Sequence, residues 1–218
     1  MPLSAAWPVP FFLALENLAI DSLATFCVSI LLATMVNAEA QAFAATFLGD
    51  VRKDPKDRFN FNVFLHLDVL GTICYLVGGF GWPRRLELDT GKFKHPRAYT
   101  VITRGVGPLA NLLLASIAGS VVMLMQKFEY DPRVFLMVIG VNITTAVYSL
   151  IPLPPLAAGW LVHEMLPDSQ AGVKAVFLKA GPLVILALAL LERVRGQGIL
   201  SYYLDPIVLG IYHYLISG

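Results

Sequence analysis

Residues 22–48 read SLATFCVSILLATMVNAEAQAFAATFL, and Glu39 is the only charge among them. As a helix the run rises about 1.5 Å per residue, roughly 40 Å in all, more than the ~30 Å hydrocarbon core of a bilayer. It predicts a membrane-spanning helix, and the rest of the chain repeats the signal. Of its 218 residues, 57% are apolar and 14% charged, against about 25% charged in an ordinary soluble domain. Further apolar segments occupy roughly 104–126, 132–163, 172–192 and 199–217. Their connections, Lys127–Pro132, Pro167–Gln170 and Arg193–Gly198, are short, as between antiparallel neighbours in a bundle. The fold expected is an all-α, multi-pass bundle of about five transmembrane helices, one integral-membrane domain over 1–218.

The region 49–103 departs from this pattern. GDVRKDPKDRFNFN at 49–62 mixes basic and acidic residues and reads as a solvated loop. Residues 63–81 are apolar but hold His66, Asp68 and several glycines, which suits a bent or re-entrant segment. Arg85–Leu88 and Tyr99–Thr103 are expected to pair as short strands about Thr90-Gly91. Ten of the sixteen basic residues lie between Arg52 and Arg104, which places this region on the cytoplasmic side. Residues 1–21 read as an N-terminal interfacial segment, without the basic n-region of a cleaved signal peptide. A net charge of +1 offers no footprint for nucleic acid. Cys27 and Cys74 sit in apolar segments and read as packing residues.

Inside the first helix, Asn37 and Gln41 stand one turn apart on one face. An ordered series follows: Arg58-x-x-x-Asn62, His66-x-Asp68, GFGWP at Gly79–Pro83, KFKHPR at Lys92–Arg97, GPLANLLLA at Gly107–Ala115 and NITTAVYSLIPLPPLAAGW at Asn142–Trp160. In order and spacing the chain resembles the site-2 protease family, the intramembrane zinc metalloproteases, in its compact bacterial form without a PDZ domain. The resemblance runs from about residue 20 to the end.

The resemblance implies a His-Glu-x-x-His motif in the opening helix ahead of Leu-Gly-Asp. There, two histidines bind zinc and the glutamate activates the metal-bound water. Counted back from Leu48-Gly49-Asp50, the ligands fall on Asn37 and Gln41 and the base on Ala38. The family's third ligand, an Asp after Pro-Pro-Leu, falls on Ala157. Carboxamides are poor zinc ligands and an alanine takes no proton. Glu39 projects about 200° from Asn37 around the helix and is a poor replacement. HEMLP at His163–Pro167 has His-Glu without a second His and is expected at the surface. His66 and Asp68 are expected to hydrogen-bond to each other within the bent segment.

These substitutions lead to an expectation of a pseudoprotease with no catalytic residue, no zinc and no other cofactor, with a lipid left open as a bound molecule. Asn37, Gln41, Asn111 and Asn142 are expected to share one polar interior, with Gly107 and Gly119 admitting close helix approach. Pro152, Pro154 and Pro155 are expected to break their helix. The leading functional expectation is a scaffold or helix-binding subunit of a membrane complex, partnered by other transmembrane proteins and by lipids. Its expected location is a bacterial cytoplasmic membrane. A metalloprotease-like hydrolase with a rearranged site is the alternative, and a channel or carrier the third.

Overall fold

The computed structural model describes residues 19–52, 59, 61–195 and 198–217. The expected interfacial segment therefore falls almost wholly outside the described residues, as does the middle of the basic loop. Among the described residues seven α-helices follow in chain order: α1 Ile20–Phe47, α2 Val69–Gly78, α3 Pro96–Lys127, α4 Arg133–Tyr148, α5 Ala157–Met165, α6 Ala171–Arg195 and α7 Ile199–Ser217. Four of them, α1, α3, α6 and α7, are long and apolar enough to cross a membrane. The protein is an all-α multi-pass membrane protein.

The core forms around α4. Its sixteen residues rise only about 24 Å, but from Leu136 to Tyr148 every one is buried. Helices α1, α3 and α7 all pack against it. The long helices instead send large side chains outward: Phe43, Leu109, Leu113, Val176 and Leu183 are all exposed. That inverted pattern is what a helix needs when its outer face meets lipid.

The expected segment 132–163 is divided. Helix α4 ends at Tyr148, a turn follows, and α5 starts at Ala157. Proline at 152, 154 and 155 supplies no backbone donors for a continuous helix. Gly159 of α5 lies so close to the turn that a Cβ there would stand 2.1 Å from the Leu153 carbonyl carbon.

The expected strand pair does not form. Tyr99–Thr103 belongs to α3, whose first residue is Pro96, a position where proline's fixed φ favours helix. Among the described residues, antiparallel pairing is confined to one bridge between Leu67 and Pro83, flanked by the Arg84 amide donating to the His66 carbonyl at 2.6 Å. Residues 63–81 are bent. A 3₁₀ turn at Val63–His66 leads into α2, whose ten residues span about 15 Å, half a bilayer core. The Gly79–Trp82 stretch folds back on α2: a Cβ on Gly71 would meet the Trp82 carbonyl oxygen at 2.3 Å, and one on Gly81 would meet the Tyr75 ring at 2.4 Å.

The basic loop is less solvated than expected at its start. Asp50 is fully buried. Its Oδ2 accepts from the Asp89 amide at 2.9 Å, and Arg52 and Lys92 lie 3.4 and 3.9 Å from its Oδ1. Lys92 also donates to the Val51 carbonyl, and Arg52 to that of Glu87. The Leu-Gly-Asp ending thus ties α1 to the segment 87–92.

Candidate functional site

Helical spacing brings Asn37 and Gln41 to one buried face of α1, and the structure joins them to α3 and α4 in a chain of amides. Gln41 Nε2 donates to Asn37 Oδ1 at 2.7 Å, and Asn37 Nδ2 donates to Asn111 Oδ1 at 2.7 Å. Asn111 Nδ2 donates to both Asn142 Oδ1 at 2.8 Å and the Ala33 carbonyl at 3.0 Å, and Asn142 Nδ2 donates to the Val138 carbonyl. Asn111 and Asn142 are 0% exposed, Asn37 and Gln41 below a tenth. Burying four amides in an apolar bundle is tolerable because each finds a partner. Gly107 makes room: a Cβ there would lie 2.3 Å from Asn37 Oδ1 and 3.0 Å from Gln41 Nε2.

The amide chain ends on a cation. Arg104 of α3 is 6% exposed. Its Nη1 donates to Gln41 Oε1 at 2.8 Å and its Nη2 to the Leu86 carbonyl at 2.7 Å. Its guanidinium carbon stands 4.8 Å from the ring centre of Trp160, and that of Arg85 stands 4.6 Å from the same ring. Asn37, Gln41, Arg104, Ala157 and Trp160 line one cavity of about 40 Å³, roofed by Gly81–Arg85. Ala157 is therefore beside the two amides, although 116 positions separate it from Gln41 in the sequence. Ala38, the fourth substituted position, is buried on α1.

His66 and Asp68 do not pair with each other. His66 Nε2 lies 3.0 Å from Glu39 Oε1, so the residue turned away from the amide face holds the 3₁₀ turn against α1. Asp68 caps α2, its Oδ1 accepting from the Gly71 amide at 2.8 Å and from Trp82 Nε1 at 2.9 Å. It thereby fixes Trp82, a wall of the cavity. His163 and Glu164 are not fully at the surface: they are largely buried and lie 3.0 Å apart. Arg104, Trp160 and Arg85 carry no ligand or catalytic pattern in the sequence. The available signal is an arginine three residues before Gly107, at the head of the apolar run 104–126.

Fold and cavity together define an all-α membrane protein with a polar chamber where α1, α3 and α5 meet. No family model and no solved structure matches the chain. It is 32% identical over 161 residues to the protein of Bacillus subtilis (strain 168) named "Putative zinc metalloprotease YwhC", covering 68% of this chain and 72% of the relative. The chain belongs to this site-2-protease-like family of zinc metalloproteases. The expectation that it is not an enzyme is thereby overturned, because the relative carries the name of an enzyme.

The cavity residues do not fit zinc. Two carboxamides and a methyl group occupy the positions where the resemblance puts ligands, and the Arg104 guanidinium donates to one of those amides. A fixed positive charge in hydrogen-bond contact with the ligand position opposes a second cation there. Among the described residues no three His, Cys, Asp or Glu side chains converge as a metal site.

Proposed function

We propose that this protease-like membrane protein holds a segment of another transmembrane polypeptide beside Asn37, Gln41 and Ala157, as a helix-binding component of a membrane complex in a bacterial cytoplasmic membrane. The observation that carries this reading is the polar cavity. Its size of about 40 Å³ suits one side chain of a segment packed beside it, since a single water needs roughly 10–15 Å³ of such space. It lies within the bundle, where α1, α3 and α5 meet, and the lipid-facing side chains point elsewhere. Tryptophan and arginine frame it, the residues enriched where polypeptides bind tightly. The family supports a polypeptide as the ligand class, since a protease acts on peptide chains.

A photo-crosslinking residue introduced at Ala157 tests it. The expected result is one crosslinked membrane polypeptide of defined mass in near-stoichiometric yield. The same residue at lipid-facing Leu109 should give none. Equal, diffuse labelling from both positions would exclude the reading.

The relative's name favours a second reading, a hydrolase with a rearranged site. Glu39 and His66, in hydrogen-bond contact on α1 and the bent segment, are its candidates for acid–base work. Tightly bound zinc near one per chain, with cleavage of a membrane peptide by purified protein, would favour it over holding alone.

A further inference from the structure

We infer that the outer faces of α6 and α7 are built for a thinned bilayer, with lipid hydrocarbon compressed there to roughly 20–25 Å, while the face of α3 meets a bilayer of ordinary thickness, about 30 Å. The inference does not rest on the polypeptide-holding reading.

The α3 face sets the comparison. Between Arg104 and Lys127 no residue is charged, and that stretch of 22 residues, 105–126, rises about 33 Å. Leu109, Leu113, Ile117 and Leu124 are exposed along it. Its apolar wall is as tall as a bilayer core.

Helix α6 is long enough to cross, but its uncharged stretch is short. Lys179 is exposed and, among the described residues, has no ion-pair partner. A cation without a partner is costly inside hydrocarbon, so its ammonium marks where headgroups or water begin. At the other end Glu192 is followed by Arg193 and Arg195. The Glu192 carboxylate is tied to the α6–α7 connection, Oε1 accepting from the Leu200 amide at 2.6 Å. Only twelve residues, 180–191, lie between Lys179 and Glu192, a rise of about 18 Å. The lysine stem reaches back about one helical turn, roughly 5 Å, and still leaves the stretch short of 30 Å. Any tilt of the helix lowers the height further.

Helix α7 repeats the measure with different chemistry. Tyr203 and Tyr214 are both exposed, and tyrosine settles at the headgroup level. Eleven positions separate them, about 17 Å along the axis. No taller element backs α6: it packs against α2, whose ten residues rise about 15 Å. Lipid against this flank therefore compresses to cover two short stretches. A polar residue of any membrane segment passing there has less hydrocarbon to cross.

The test places a tryptophan on each face, Leu183→Trp on α6 and Leu113→Trp on α3, in full-length protein reconstituted into phosphatidylcholine vesicles. Brominated phosphatidylcholines with 14-carbon and 22-carbon chains compete to quench it, and the parent's own quenching is subtracted. At Leu183→Trp the short-chain lipid should be preferred about two- to threefold, and at Leu113→Trp it should not be preferred. Lys179→Leu extends the uncharged stretch to 175–191, about 25 Å, and should abolish the preference at Leu183→Trp. Lys179→Arg keeps the charge and should keep the preference. Equal chain-length preference on the two faces overturns the inference, and so does a preference that survives Lys179→Leu. Quenching at Leu113→Trp with none at Leu183→Trp means that a protein, a partner or a second copy, covers α6 in place of lipid, and overturns it as well.

Discussion

Gly107 of α3 faces Asn37 of α1 with no room for a methyl group, since a Cβ on Gly107 would stand 2.3 Å from Asn37 Oδ1. The Asn37 side chain cannot easily yield, because Gln41 and Asn111 both hold it. Gly107→Ala is expected to destabilise the protein by about 1–3 kcal/mol, the usual cost of overpacking a close interface. Thermal unfolding in detergent measures this. Adding Asn37→Ala removes the clashing atom, so the double variant should be less destabilised than the two single effects added together.

Asn111 joins α1, α3 and α4 through three side-chain hydrogen bonds. Asn111→Leu fills similar space while leaving Asn37 Nδ2 and Asn142 Oδ1 without their partner. Each buried polar atom so stranded costs about 1–3 kcal/mol, so this variant should be among the least stable single changes in the interior. Asn111→Asp should fare no better, because an ionised carboxylate cannot donate to Asn142 or to the Ala33 carbonyl. Denaturant or thermal midpoints near the parent value for either variant would contradict the amide chain.

Asp50 accepts the Asp89 amide from a fully buried position. Asp50→Ala should release the segment 87–92 without disturbing the α1–α3–α4 core. Hydrogen exchange should accelerate at Asp89 and Lys92 and stay unchanged along α4. Uniform acceleration across the bundle would show instead that Asp50 supports the whole fold.

How far these features could be read in the sequence depends on the range of the interaction behind them. Helices α1, α3, α6 and α7 follow from hydropathy, and the shared face of Asn37 and Gln41 follows from the 3.6-residue period. Three prolines foretold the break before Ala157 because proline acts on its own backbone. Features made by side chains meeting across the fold left no such trace. The link from the Tyr148 hydroxyl to Asp205 Oδ1, at 2.6 Å, joins residues 57 positions apart, and nothing local to either names the other. The spacing of His66 and Asp68 suggests that the two meet, but Glu39 of α1 takes His66 instead. The strand pair failed for a local reason: the β-prone Tyr99–Thr103 follows a proline that starts a helix. Arg104 reads as one more basic residue until Trp160 and Gln41 are placed around it.

The final prediction concerns charge in the cavity. Asn37→His, Ala38→Glu, Gln41→His and Ala157→Asp together install the ligands and base implied by the resemblance to site-2 proteases, and Ala157 already lines the same cavity as Asn37 and Gln41. This fourfold variant should take up zinc, but weakly, because Arg104 donates to the side chain at position 41 and would face the incoming ion. At a few ångströms and an effective dielectric near 20, such repulsion is worth a few kcal/mol. Adding Arg104→Gln should therefore tighten zinc binding by at least about tenfold, as measured by competition with a chelating dye. Zinc uptake unaffected by the fifth change would mean that Arg104 turns away from the ion. No uptake by either variant would mean that the four positions do not converge as a ligand set.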